Sequence, residues 1–144
     1  MNKIIEQPIP QGKYLSAVRN ADLIYTSGMT PRKGGKLIYS GKIKILDPTE
    51  LHKEAVRLAT LNALTAAKAC LILGERISKI LQLNVFLNTE ERYVEHAKIA
   101  DYASDLIIEN LGNNSIGSRA AIGVASLPSN ATIEITLIAK IVAR

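Results

Sequence analysis

The sequence predicts a single α+β domain with two helices on one face of a mixed sheet. Three observations carry that expectation. Short alternating runs open and close the chain, two amphipathic stretches with helix start and stop residues interrupt them, and 144 residues suffice for one core without disulfides or metal. Hydrophobic residues make up 47% of the chain against 22% charged, which marks a folded globular protein rather than a disordered one.

The elements follow in order. KYLSAVRN and LIYTS are β-prone runs separated by the turn-forming Asn20-Ala21-Asp22. MTPRKGG then reads as a loop before a third short strand, KLIYS. Asp47-Pro48-Thr49-Glu50 has the form of a helix start, with Asp47 at the N-cap, Pro48 at N1 and Glu50 at N3 of a capping box. That helix is expected to run to about residue 73 and stop at Gly74. Its Ala-rich interior, ATLNALTAAKAC, suits close packing on a sheet. ISKILQLNVFLN alternates, placing Leu81, Leu83, Val85 and Leu87 on one apolar face and Ser78, Ile80, Gln82, Asn84 and Phe86 on the other. A second helix over residues 91–111 ends at Gly112-Asn113-Asn114, and strands over 116–125 and 132–142 complete a β-β-β-α-β-α-β-β order. Two helices cover only one side of such a sheet. Thr136, Ile138, Ile80 and Phe86 are therefore expected on an uncovered face, and the expectation is an oligomer.

Composition removes several function classes. The formal charge of +5 tolerates an anionic partner without demanding one, and the basic stretch PRKGGKLIYSGKIK reads as a solvated loop. Five Tyr and one Phe offer no base-stacking platform, which weighs against nucleic acid. The lone Cys70 favours a reducing, cytoplasmic setting. No apolar run follows Lys3 as in a signal peptide, and no stretch reaches the roughly 20 residues a membrane span needs. His52 and His96 fall on different helices, where both read as exposed surface residues, and Cys70 has no partner at ligand spacing. No metal site and no Ser-His-Asp or Cys-His nucleophile is indicated. Gly34-Gly35 and Gly112 lack the strand–glycine–helix context of a nucleotide loop.

Arg119 and Glu134 remain, with Tyr14 and Thr26-Ser27-Gly28 as company. In GSRAAIGVASLP, period-two alternation puts Gly117, Arg119, Ala121, Gly123 and Ala125 on one face, an arrangement that leaves room beside a guanidinium. Two readings stand: an ion pair with a carboxylate such as Glu134, or a clamp for a ligand carboxylate, which the small neighbours favour. Glu134 shares a strand face with Thr132 and Thr136, as either a solvated or a site residue. If the last two strands form a hairpin about Ser129, Arg119 faces position 139. The five-residue offset, about 17 Å at ~3.3 Å per residue, keeps it from Glu134 and favours a site shared between protomers.

These residues carry a resemblance to the Rid family of reactive intermediate deaminases, also called the YjgF-like or L-PSP endoribonuclease family. GKYLSAVRNADLIYTSGMTP resembles its opening, with a G-x-Y turn and a strand ending in S-G-x-x-P. NALTAAKACL resembles its first helix, and SRAAIGVASLPSNATIEITLIAKI its C-terminal signature, R-x-x-x-x-V-x-x-L-P followed by a V/I-E-I strand. The middle section and YASDLIIENLG look closest to a somewhat longer branch. The resemblance implies a chorismate-mutase-like protomer spanning residues 1–144, assembled as a homotrimer with sites in the clefts between subunits. It implies hydrolysis of 2-imino or enamine acids, such as 2-aminoacrylate, to 2-keto acids and ammonia without metal or cofactor. Arg119 then binds the substrate carboxylate, Glu134 positions the attacking water, and Tyr14, Ser27 and Gly28 line the site. This chain has Met29 where the family often has Gln, Ala121 where a Cys is common, and Asp101 near the place of an Asn in the second helix. A negative charge at Asp101, facing the cleft, disfavours a carboxylate substrate. Binding of a small carboxylate metabolite without turnover is the alternative. Ribonuclease activity ranks third, because the sequence offers no histidine acid–base pair.

Overall fold

The computed structural model describes residues 6–144, so Lys3 and the reading of the chain start around it lie outside the described residues. Strands β1 (Ala17–Asn20) and β2 (Leu23–Thr26) form the hairpin that Asn20-Ala21-Asp22 predicts. Ala21 takes the positive φ, 55°, that a tight two-residue loop requires. Strands β3 (Arg32–Lys33) and β4 (Lys36–Leu37) make a separate ribbon, so the third strand expected at KLIYS stays out of the main sheet. Then come α1 (Lys53–Lys68), β5 (Glu75–Asn88), α2 (His96–Leu111), β6 (Ser118–Val124) and β7 (Ile133–Ala143).

The main sheet has the order β1-β2-β7-β5-β6. The connection from β5 to β6 runs through α2, and a helical crossover returns the chain parallel to its starting strand; the other pairings are antiparallel. Both helices lie on one face. There α1 contributes Ala55, Val56, Ala59, Ala63, Leu64 and Ala67, α2 contributes Ile99, Ala103 and Ile107, and the sheet contributes Ile24, Leu83, Val85, Leu87, Ile133, Ile135 and Leu137, all buried. Each fully buried Leu or Ile contributes about 1.5–3 kcal/mol. The alanines let α1 lie close over β7 and β2.

Several local expectations need correction. Asp47 does not cap a helix. Its carboxylate accepts a hydrogen bond from the Lys44 backbone N–H at 2.8 Å and lies 3.0 Å from His52 Nε2, and a 3₁₀ turn over Thr49–His52 precedes α1. The Lys44 N–H, then the His52 contact, hold the Asp47 carboxyl below its ordinary value despite some opposing burial. His52 is thus half-buried in a turn. His96, read as exposed, packs edge-on against the Tyr93 ring, 5.3 Å between centroids. The first helix stops at Lys68 rather than near 73, and Gly74, at φ 88°, instead precedes β5. The second starts at His96 rather than near 91, because the chain first turns through Arg92 at φ 70°.

In β5 the predicted alternation breaks. Register shifts between Ile77 and Lys79 and between Ile80 and Gln82 turn Ile80 into the core and leave Leu81 38% exposed. A bulge adds a residue to one strand and so reverses which side chains face the core. The uncovered sheet face carries Thr136, Ile138 and Phe86 as expected, without Ile80, and adds the exposed Val18, Tyr25 and Ile122. Among the described residues, no helix is long and apolar enough to cross a membrane.

Candidate active site

Glu134 sits on β7 opposite Phe86 of β5, which in turn pairs with Ile122 of β6. Directly paired residues point to the same side of a sheet, so Glu134 belongs to the face the helices do not cover. A backbone bridge then fixes its neighbour. The Met29 N–H donates to the Ile135 carbonyl at 2.7 Å and the Ile135 N–H to the Met29 carbonyl at 2.9 Å, which brings Gly28 against the carboxylate. A Cβ on Gly28 would lie 2.6 Å from Glu134 Cδ and 2.7 Å from Oε1, so only glycine permits this approach. Gly28→Ala is expected to leave thermal stability within about 1 kcal/mol of wild type, since a flexible carboxylate can swing aside. The same displacement should lower any Glu134-dependent activity about tenfold or more, which unfolding curves and turnover on one preparation will separate.

Tyr14, Ser27, Gly28 and Glu134 all line one cavity of about 960 Å³, which Met29, Arg32, Asn62 and Ser129 also border. Two of these side chains are fixed by local bonds. The Ser27 hydroxyl donates to the Leu15 carbonyl at 2.6 Å and keeps its lone pairs, while the Tyr14 hydroxyl accepts the Gln11 backbone N–H at 3.0 Å and keeps its proton. Glu134 has no hydrogen bond or ion pair among the described residues. Burial alone raises its pKa.

That shift carries a sign for stability. Above the folded-state pKa the charged form is held at a cost in the half-buried site; below the unfolded value, about 4.3, both states are protonated and the cost disappears. Glu134→Gln should therefore unfold at a higher temperature than wild type at pH 7–8. The gain should shrink on acidification and be gone near pH 4, as thermal unfolding across that range will show.

Arg119 is placed elsewhere. It pairs with Leu83, and Leu83 with Leu137, two core residues, so its side chain lies on the helix face. Nη1 donates to Asp101 Oδ1 at 2.7 Å and Ser104 Oγ at 3.0 Å, and Nη2 donates to the Ala97 carbonyl at 3.3 Å. Ala97, Asp101 and Ser104 follow the i, i+4, i+7 spacing of one helix face, so α2 presents three acceptors in a row. The small residues of β6 have a packing role here. A Cβ on Gly123 would meet His96 Nε2 at 2.5 Å and Thr89 Oγ1 at 2.9 Å, so the stripe admits α2 and its preceding loop against the strand. Arg119 also borders a dent of about 10 Å³, with Ile80, Leu83, Ser104 and Ile107.

The hairpin assumed for the last two strands is not formed, because β5 lies between β6 and β7. Arg119 and Glu134 are nevertheless apart, for a different reason: they occupy opposite faces of one sheet. Sequence reasoning missed that Asp101 is the partner of Arg119 and that Arg32 and Asn62 border the Glu134 cavity. Helical spacing from Asp101 to Ser104 was the available signal for the first. Among the described residues no three His, Cys, Asp or Glu side chains form a group that could hold a metal ion.

The chain is thus an α+β layer in which the half-buried Glu134 carboxylate, without a partner among the described residues, faces a cavity that Leu58, Leu61, Asn62 and Thr65 of α1 also border. Residues 7–141 match the family described as "YjgF/chorismate_mutase-like, putative endoribonuclease", and the chain belongs to that family. A solved structure of Atu1372, a protein of unknown function from Agrobacterium tumefaciens, is 31% identical and superposes with a TM-score of 0.84 over 96% of this chain and 87% of that one. A "putative endoribonuclease" from Shewanella oneidensis is also 31% identical, with a TM-score of 0.78 over 96% and 91% of the two chains. Protein TCP17 of Trypanosoma cruzi is 29% identical over 128 residues, 88% of this chain and 79% of that protein.

Proposed function

We propose that the protein is a cytoplasmic homotrimer that hydrolyses reactive 2-imino or enamine acids to 2-oxo acids and ammonia in clefts between subunits. The observation that carries this reading is the unpartnered Glu134 carboxylate, pressed against Gly28 in a cavity that Tyr14 and Ser27 also line. A protonated 2-imino acid is already electrophilic, so catalysis needs a held carboxylate and a placed water rather than a strong nucleophile. Glu134 accepts a hydrogen bond from the water, which adds to C2, and takes its proton. Collapse of the resulting aminoalcohol breaks the C–N bond, and the proton leaves with ammonia. A carboxyl group raised by burial suits that two-way transfer. The second component, Arg119, holds the substrate carboxylate from the neighbouring subunit. An open sheet face with exposed Val18, Tyr25 and Ile122 supports assembly, and the opposite placement of Arg119 and Glu134 supports a site that two chains complete.

The test generates 2-aminoacrylate in a coupled reaction and follows 2-oxo acid release. Acceleration by the wild-type protein is expected; a rate equal to the uncatalysed one overturns the enzymatic reading. A second reading, carboxylate binding without turnover, draws on the existing Asp101–Arg119 pair. It predicts saturable binding of a 2-oxo acid with no acceleration. The ribonuclease reading has less support, since neither His52 nor His96 borders the Glu134 cavity.

A further inference from the structure

We infer that Asp101 and Arg119 act together as a dipolar clamp, selecting zwitterionic ligands, in which a carboxylate and an ammonium or iminium nitrogen share one carbon, over simple 2-oxo acids. This rests on the reading that Arg119 holds the ligand carboxylate. The bonding around the guanidinium supplies the first reason. Nη1 spends both N–H groups on Asp101 and Ser104, and Nη2 spends one on Ala97. Nε and the second N–H of Nη2 have no partner among the described residues. A free N–H on each of two guanidinium nitrogens leaves capacity for a ligand carboxylate, so the ligand does not need to displace Asp101.

Asp101 supplies the second reason. Only Oδ1 bonds Arg119; Oδ2 has no partner among the described residues, and the side chain is 64% exposed. The pair thus sets a cation and an anion side by side, 2.7 Å apart, the Arg119 side chain 24% and the Asp101 side chain 64% exposed, each with hydrogen-bonding capacity unused among the described residues. A 2-iminium acid carries the complementary pair, its carboxylate toward Arg119 and its nitrogen toward Asp101 Oδ2. The 2-oxo acid made from it lacks the positive nitrogen and presents only a carboxylate and a carbonyl oxygen. It gains Arg119 and is repelled by Asp101, so the same pair that admits substrate favours release of product.

The experiment compares L-alanine, a stable zwitterion on the same three-carbon skeleton, with pyruvate by calorimetric titration of the intact oligomer. Wild type should bind alanine about tenfold tighter than pyruvate. Asp101→Asn keeps the side-chain size and an oxygen for Arg119 but removes the charge. It should tighten pyruvate about five- to tenfold and weaken alanine by a similar factor, while Asp101→Glu restores the wild-type order. An alanine-to-pyruvate ratio unchanged in Asp101→Asn, or both ligands weakened equally, overturns the clamp and leaves Asp101 a structural tether for Arg119. Absence of alanine binding to wild type overturns it too. The ratio is read without turnover, so a wild-type protein that fails to hydrolyse imines but whose preference responds to Asp101→Asn would refute the deaminase reading and support the clamp.

Discussion

Arg119→Ala is expected to lower kcat/KM for 2-aminoacrylate hydrolysis by about a hundredfold or more while leaving the oligomer assembled. Hydrogen bonds to a charged group contribute about 1.5–3 kcal/mol each, so losing a bidentate carboxylate contact removes about 3 kcal/mol or more. The fold should tolerate the change. The Arg119 side chain makes an ion pair at the edge of the sheet with a partner that is 64% exposed, and exposed pairs contribute about 1 kcal/mol or less. The core residues Ile99 and Ile107 of α2 pack independently of it. A variant with wild-type mass in solution, a melting point lowered by only a few degrees and no turnover places Arg119 on the substrate. One that turns over normally shows that the Asp101 pair is its whole role. Since a carboxylate anchor acts in ground and transition states alike, much of the loss should appear in KM.

What the sequence disclosed about this arrangement divides along a physical line. Local signals were legible. Gly112 ends α2 where it was expected, Asn20-Ala21-Asp22 turns the first hairpin, and the alternation of ATIEITLIAKI correctly put Glu134 on the face opposite Ile133 and Ile135. Signals that depend on which strands meet were not. Nothing in residues 116–142 announces that β5 inserts between β6 and β7, and the bulges that turn Ile80 inward arise from pairing across strands rather than from the residues of β5 alone. The small face of β6 was visible, but its cause was not. Gly and Ala leave room, and whether a helix or a ligand takes that room depends on where α2 lands. The cavity around Glu134 was hidden for the same reason. It exists because a bridge between Met29 and Ile135 joins segments more than a hundred residues apart and holds Gly28 against the carboxylate.

The opposite placement of Arg119 and Glu134 makes a sharper prediction than loss of function. If each site takes Glu134 from one chain and Arg119 from the next, two inactive variants should rescue one another. In the proposed trimers, reassembled from equal amounts of Arg119→Ala and Glu134→Gln chains, a site is intact when its Arg119 comes from the second variant and its Glu134 from the first. Random mixing makes that about one quarter of all sites, so activity should recover to about 25% of wild type from parents near zero. Each parent taken alone through the same unfolding and refolding should stay inactive. A site contained in one chain allows no rescue, because every chain in the mixture lacks one of the two groups. No recovery in mixtures shown by mass to contain mixed trimers would therefore separate Arg119 from the Glu134 chemistry. It would return attention to the cations that border the Glu134 cavity within one chain, Arg32 and Lys33, of which Arg32 has its Nε buried without a partner among the described residues. Recovery near a quarter would instead tie the two faces of the sheet into one site, for which neither chain alone holds the parts.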